Sequence, residues 1–229
     1  MAFAAATAAP TFPTLSGRVV DEAGIIPAAE AAEIVARLAA LEAETTDQLV
    51  VVTLDSLQGY DIADYGYQLG RAWGIGQAGK DNGVLLIVAP NERKVRIEVG
   101  YGLEATLTDA ISRVIIDNAI LPRFRADDMA GGIVRGVDDI VQVLSGDADE
   151  IRSLAERRPE TGFWVAFTPF LIWIVIFMVI VNVMRRGRFG GLGGGSGWSS
   201  GGSSSSGGSG GGFSGGGGSF GGGGSSGSW

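Results

Sequence analysis

The sequence predicts an α/β fold in which a mixed sheet is flanked by helices. Residues 48–54 and 83–89 are continuous apolar runs, which is typical of strands buried on both faces. Residues 62–73 lie between them and repeat apolar side chains at helical spacing, which indicates a strand-helix-strand unit. A short turn at 90–93 leads to a further strand at 94–99, so this last pair is expected to be antiparallel.

The elements on either side of this unit are predicted from capping and periodicity. Residues 15–24 form a short apolar lead-in that ends in an acidic turn. A helix then begins at Pro27, because the missing N–H of proline costs nothing in a first turn. Two more helices are expected near 108–120 and 127–144. The apolar face of the first helix carries Ile34, Leu38 and Leu41.

The longest apolar stretch, residues 163–184, predicts one transmembrane helix. Its 22 positions hold no charged residue, and arginines follow it directly. At about 1.5 Å of rise per residue this length matches a hydrocarbon core of roughly 30 Å. The alternative, a buried helix of a soluble domain, would normally keep a polar stripe.

The rest of the chain divides around this span. Residues 1–14 resemble the end of a secretory signal, with an Ala-rich terminus as the alternative. Residues 15–146 are predicted to form one globular domain, and residues 147–162 a linker or a helical stalk that leads to the membrane. The Gly/Ser-rich residues 185–229 are expected to be a disordered tail, because they bury too little apolar surface to offset the entropy of ordering glycine. The aromatic residues of this tail are either points of self-association or a tolerated feature of low-complexity sequence.

Charge and composition restrict the function. Residues 1–162 carry 25 acidic and 14 basic side chains, a net charge of −11, so no nucleic-acid partner is expected. The chain has no histidine and no cysteine, which excludes Ser-His-Asp triads, thiol nucleophiles and ordinary zinc sites. The signal-like start and the arginines after the span predict an inner-membrane protein whose domain is periplasmic and whose tail is cytoplasmic.

Three acidic loops could meet near the carboxyl ends of the predicted parallel strands, where ligands bind in open α/β sheets. They are residues 21–22, 79–83 and 100–109. Their carboxylate, amide and carbonyl oxygens are the ligands that Ca²⁺ requires. Each loop also has an ordinary explanation as a turn, a tight loop or a first-turn helix charge, and spacing alone leaves both open.

Five motifs occur in order along the chain: GRVVD at 17–21, WGIG at 73–76, DNGVLLIVA at 81–89, RIEVGYGLE at 96–104 and LTD at 107–109. Together they resemble the TPM domain family. That family includes a thylakoid-lumen photosystem II repair phosphatase and exported bacterial proteins, and the resemblance spans about 17–146. It implies a three-layer α/β/α sandwich of Rossmann-like appearance with an acidic cleft that binds divalent cations, calcium in some members. Weak acid phosphatase activity is implied for a few.

Carried over to this chain, the resemblance implies that five residues bind Ca²⁺ or Mg²⁺: Asp21, Asp81, Asn82, Glu104 and Asp109. Glu98 is a weaker candidate, because its alternation with Arg96 would place it on the solvated face of its strand. One expected function is a membrane-anchored, cation-binding module that docks on a membrane or envelope protein and assists its assembly or maintenance. The alternative is a metal-dependent acid phosphatase of low activity, which the charge of −11 disfavours because it repels phosphate esters.

Overall fold

The computed structural model describes residues 9–156 and 216–229, and the structural statements below concern those residues. Six α-helices and five strands occur among them, and a π-helical stretch, Ile116–Ile120, joins the third helix to the fourth. The strands are β1 (Val19–Asp21), β2 (Gln48–Thr53), β3 (Gly83–Ala89), β4 (Lys94–Gly100) and β5 (Phe220–Ser228). The helices are α1 (Ala28–Thr45), α2 (Ile62–Trp73), α3 (Asp109–Ile115), α4 (Leu121–Arg125), α5 (Met129–Ser145) and α6 (Asp149–Glu156).

The five strands form one mixed sheet in the order β1-β2-β3-β4-β5. The first three strands are parallel, β4 is antiparallel to β3, and β5 is antiparallel to β4. The predicted α/β fold with a mixed sheet is therefore confirmed, as is the antiparallel pairing of 83–89 with 94–99. The lead-in at 15–24 contributes a strand, β1, that the sequence did not predict.

Helices cover both faces of the sheet, so the core has two parts. On one face, Leu38 of α1 packs with alternate residues of β2 and β3 and with α3 to α5. On the other face, Tyr65 and Leu69 of α2 pack with the remaining residues of the same strands. Every residue of β2 and β3 is buried, as their continuous apolar sequence predicts.

The two crossover connections depart from the usual handedness rule. Strands β1, β2 and β3 lie side by side in chain order, so both connections advance in the same direction across the sheet. Helix α1 covers one face and α2 the other. Two crossover connections that move in the same direction across a sheet, one over each face, must have opposite handedness. One of the two is therefore left-handed, whereas nearly all crossover connections between parallel strands are right-handed.

The folded domain extends beyond the predicted boundary at 146. Residues 147–162 were expected to be a linker or a helical stalk; residues 149–156 are helical, but α6 packs on α3, and Ala148 and Ala155 are buried in the core. Within residues 9–156 and 216–229 no helix is long and apolar enough to cross a bilayer. The predicted span at 163–184, the signal-like residues 1–8 and the tail residues 185–215 lie outside the described part of the chain.

The end of the tail is ordered, which corrects the expected disorder for residues 216–229. This segment forms β5 at the edge of the sheet. The entropy argument assumed that the tail would need a core of its own. Instead it enters a groove that the domain already provides, and there it gains a hydrogen-bonded strand partner and two aromatic contacts.

Candidate functional site

Among the described residues, the site with the most side-chain contacts to a bound strand is a groove along the edge of β4 that faces away from β3. We call it the β4 groove and define it by Arg96 and Glu98 of β4, Gly70 of α2, Tyr101 and Asp109. Helices α2 and α3 both contact β5, so they form the two walls. Residues 216–229, here called the C-terminal segment, fill it.

Backbone pairing fixes how the C-terminal segment lies in the groove. Its register with β4 runs from Lys94 opposite Ser228 to Val99 opposite Gly223, followed by an irregularity before Gly100 pairs with Phe220. Such main-chain pairing supplies affinity in strand addition, while side-chain pockets supply selectivity. The side-chain contacts along the groove, described below, therefore indicate which sequences can bind there.

A buried ion pair forms the floor of the groove. The Nε atom of Arg96 donates to Oε2 of Glu98 at 2.5 Å, and both side chains are buried. The other nitrogens of the same guanidinium donate to the Ser226 hydroxyl and to the Gly222 carbonyl oxygen, each at 2.9 Å. Glu98 thus orients Arg96, and Arg96 binds the C-terminal segment at two points.

This burial corrects the expectation that one face of the strand at 94–99 meets solvent. Only Lys94 of β4 is partly exposed, and Glu98 is completely inaccessible. The alternation of polar and apolar residues is present, but α2 and the C-terminal segment cover the polar face. The polar residues on that face serve a strand partner instead of water.

Two aromatic residues anchor the ends of the segment. Phe220 is 1% exposed and packs in the α2 core, where a Cβ on Gly70 would lie 2.8 Å from its ring. At the other end the Trp229 ring lies 4.5 Å from that of Phe124. Gly70 therefore creates the space that Phe220 occupies, and the two aromatic residues, nine positions apart, lie at the two ends of the stretch that pairs with β4.

Close backbone approach explains why the segment between these anchors is rich in glycine. Gly224 has φ +114, and a Cβ there would overlap the carbonyl oxygen of Ile97. At Gly221 a Cβ would overlap the Tyr101 ring, and at Gly227 it would lie 2.5 Å from Ile116. The restriction is strictest at Gly224, where the close atom belongs to the backbone, whereas at Gly221 and Gly227 the close atoms belong to side chains.

Three of the predicted metal ligands contact the C-terminal segment. Oδ1 of Asp81 accepts the Ser219 N–H, and Oδ1 of Asp109 accepts the Gly224 N–H, both at 2.7 Å. The Glu104 carboxylate lies beside Gly223. Asp81 and Asp109 therefore accept backbone N–H groups of the segment, and Glu104 lies beside it.

The other two predicted ligands have structural roles. The Asn82 amide accepts the Gln77 N–H at 2.8 Å and donates to Asp47 at 2.9 Å, so it ties the loop before β3 to the end of α1. The Asp21 carboxylate accepts the backbone N–H groups of Ile25 and Ile26 and the hydroxyl of Thr53.

The structure does not bring the five residues together. Asp21 is the last residue of β1 and pairs with Thr53 of β2, which pairs in turn with Val88 near the carboxyl end of β3. Asn82 lies at the opposite end of β3, directly before its first residue. Six residues of strand, roughly 20 Å at about 3.3 Å each, separate the two ends. No group of three or more acidic residues within 9–156 and 216–229 is placed to hold a metal ion. The five residues therefore do not fit a single Ca²⁺ or Mg²⁺ site in this arrangement.

Glu98 should make stability depend on pH. Burial raises the pKa of Glu98 from 4.5 to about 7, because desolvation outweighs the attraction of Arg96. A raised folded-state pKa gives stability that is complete below pH 4.5 and is lost as the pH rises through about 7. We expect the free energy of unfolding to fall by about 3 kcal/mol over that window.

Urea unfolding of the wild type and Glu98→Gln at pH 5 to 8 measures this contribution. Glutamine keeps an oxygen for Arg96 but cannot ionise, so its curve should lack the decline. Equal slopes in the two proteins would contradict the assignment to Glu98. Because all other titratable groups are shared, their effects cancel in the difference.

Comparisons with known proteins agree with this fold. A family model described as the TPM domain matches residues 19–143. The chain is similar to the N-terminal domain of a protein from P. gingivalis solved by NMR, with 36% identity over 58% of this chain and 85% of that one and a TM-score of 0.54. No curated protein matches significantly.

Two further solution structures are similar at lower identity. One is the N-terminal domain of the cg2496 protein from Corynebacterium glutamicum, at 24% identity over 61% of this chain and 86% of that one, with a TM-score of 0.46. The other is the BA42 protein from Bizionia argentinensis, at 22% identity over 53% and 83%, with a TM-score of 0.47. The family match covers more than half of the sequence, and the motifs at 17–109 that resembled the family fall almost entirely inside it. The chain therefore belongs to the TPM domain family.

Proposed function

We propose that this protein is an envelope-associated interaction module whose TPM domain recognises an extended, glycine-rich strand along β4. The observation that carries the proposal is the occupied β4 groove, in which Arg96, Gly70 and Asp109 each contact a different part of the C-terminal segment. Recognition of a partner strand at a sheet edge is an established mode of peptide binding. The expected role in assembling or maintaining membrane or envelope proteins is compatible with such binding.

The arrangement supports the phosphatase alternative less well. Catalysis without histidine or thiol needs an accessible carboxylate of raised pKa. Burial raises the pKa of Glu98 to about 7, but its side chain is inaccessible beneath the C-terminal segment and pairs with Arg96. A phosphate ester could reach Glu98 only after the segment had left.

The test uses a full-length variant that cannot dock its own segment. Phe220→Ser removes the aromatic anchor, and Gly224→Val adds a side chain where none fits. A synthetic peptide of residues 216–229 should bind this segment-released variant and slow hydrogen exchange of the β4 amides. A peptide carrying Gly224→Val is the matched control. The proposal is wrong if both peptides bind equally or neither binds, and turnover of a phosphate ester by the released variant would favour the alternative.

We propose that the domain binds a divalent cation when the C-terminal segment has left the β4 groove. In the docked chain Asp81 and Asp109 already accept N–H groups of the segment, so a divalent cation must compete with it. We expect millimolar calcium to raise the melting temperature of the segment-released variant more than that of the wild type. Equal shifts would contradict competition, and no shift in either protein would remove the cation proposal.

Pairing of β4 with β5 also restricts which cellular compartments the domain and the C-terminal segment can occupy. The two strands belong to one sheet, so the domain and the C-terminal segment share a compartment in the docked chain. The expected arrangement, with a periplasmic domain and a cytoplasmic tail, is incompatible with that pairing. We therefore place both parts on the same side.

A thiol-labelling experiment tests this placement. The chain has no cysteine, so single substitutions at the exposed Glu33 and Ser228 give clean probes. In intact cells a membrane-impermeant thiol reagent should label both sites or neither. Labelling of only one of the two would contradict a shared compartment.

A further inference from the structure

We propose that the C-terminal segment of one copy also docks in the β4 groove of a second copy, so that the protein assembles by exchanging strands with itself. This inference rests on the proposed function and names the partner: another molecule of this chain. One copy would supply β5, and the other would supply the groove that is incomplete without it.

The first argument is the match between groove and segment. A bound strand must present an aromatic side chain to the space beside Gly70 and a second one to Phe124, nine residues apart. It must lack a side chain where Gly224 passes the Ile97 carbonyl. A second copy satisfies all of these requirements by identity, because its segment has the same sequence.

The second argument is the length of chain before the segment. Residues 157–215 separate the end of α6 from the described start of the segment, a connection of 59 residues. At about 1.5 Å per residue in a helix and at most about 3.5 Å in an extended chain, 59 residues reach between roughly 90 and 200 Å, which exceeds the diameter of a domain of this size in either case. The hydrogen bonds and contacts of β5 are the same whichever copy supplies the strand. Copies at high local concentration can therefore compete with the segment of the same chain for its groove.

The third argument is the state of an empty groove. Without the segment, β4 becomes an unpaired edge strand, Arg96 loses its partners at Ser226 and Gly222, and the space filled by Phe220 opens. Unpaired edges and open apolar pockets favour recruitment of another strand. Exchange of an identical element restores every contact, which makes it a low-cost route to association.

Complementation between two defective full-length variants tests the proposal. The segment-released variant, Phe220→Ser with Gly224→Val, keeps an open groove but has no competent segment. Gly70→Leu has the opposite defect: leucine occupies the space of the Phe220 ring and leaves the segment intact. Leucine also favours helix over glycine by about 1 kcal/mol, which supports folding of α2. Gly70→Ala is a second groove-blocking variant, since even its Cβ lies 2.8 Å from that ring.

Each variant alone should sediment as a monomer, and an equimolar mixture should form a 1:1 complex of twice the mass. Circular dichroism checks that each variant is folded. A mixture that stays monomeric, while the 216–229 peptide still binds the segment-released variant, overturns strand exchange and leaves the proposed function standing. If the peptide also fails to bind, both strand exchange and the proposed function are wrong. Self-association of the segment-released variant alone would show a different interface and also overturn the proposal.

Discussion

Replacing Gly224 by alanine is expected to release the C-terminal segment from the β4 groove. The new methyl group would overlap the carbonyl oxygen of Ile97, and the backbone at φ +114 disfavours any side chain. A backbone atom cannot move aside as the end of a flexible side chain can, so β5 must shift. We expect a loss of more than about 3 kcal/mol of docking free energy, because overpacking and backbone strain add.

Gly222→Ala provides the matched control for this prediction. Gly222 also has a positive φ, +85, but a Cβ there meets nothing within 4 Å. Its substitution should cost about 1 kcal/mol from backbone strain alone. Hydrogen exchange of the β4 and β5 amides measures both variants. Similar protection in the two would contradict the steric account of the glycine-rich sequence.

The second large effect is expected at the buried ion pair. Arg96→Met removes the donors to Ser226 and Gly222 and, at pH 8, where Glu98 is ionised in the wild type, takes away the partner of its buried carboxylate. Loss of one member of a buried pair typically costs about 3–5 kcal/mol. We therefore expect Arg96→Met to lower the free energy of unfolding by that amount and to abolish docking of the segment.

The double variant Arg96→Met with Glu98→Leu separates these two effects. Replacing a whole buried ion pair by apolar residues is often close to neutral, so much of the unfolding free energy should return. Docking should not return, because the donors to the segment are still missing. Urea unfolding and protection of the β5 amides measure the two quantities. Recovery of both in the double variant would show that Arg96 does not bind the segment.

The sequence predicted the central elements because their signals are local. The apolar runs of β2 and β3 and the helical spacing in α1 each depend on a few neighbouring residues. The three-residue strand β1 was missed because it is too short to show a period, although Val19 and Val20 precede Asp21 there.

The groove could not be predicted from such signals. Ser226, the partner of Arg96 in the C-terminal segment, lies 130 residues further along the chain. The sequence around Ser226 is rich in glycine and serine and shows no apolar periodicity. The alternation at 94–99 therefore indicated a solvated face. Phe220 and Trp229, nine residues apart at either end of a glycine run, were the one available signal, and they fit a low-complexity tail equally well.

The separation of the acidic loops has a simpler cause. Residues 79–83 lie at the amino end of β3, whereas Asp21 lies at the carboxyl end of β1, which runs parallel to β3 in the same sheet. The direction of the strands was enough to separate these residues. Asp81, Glu104 and Asp109 do share one end of the sheet, and there they border the bound segment.

Formation of β5 by the C-terminal segment is tested most directly by a disulfide across the β4–β5 pair. Lys94 and Ser228 are register partners, and facing residues of antiparallel strands lie about 4.5–5.5 Å apart, within the range that a disulfide spans. Because the chain has no cysteine, Lys94→Cys with Ser228→Cys should give one intramolecular bridge on oxidation of dilute protein. Lys94→Cys with Ser219→Cys is the control, since Ser219 lies beside Tyr101 at the far end of β4. A bridge in the first variant but not in the second is the predicted result, and equal yields, or no bridge in either, would contradict it.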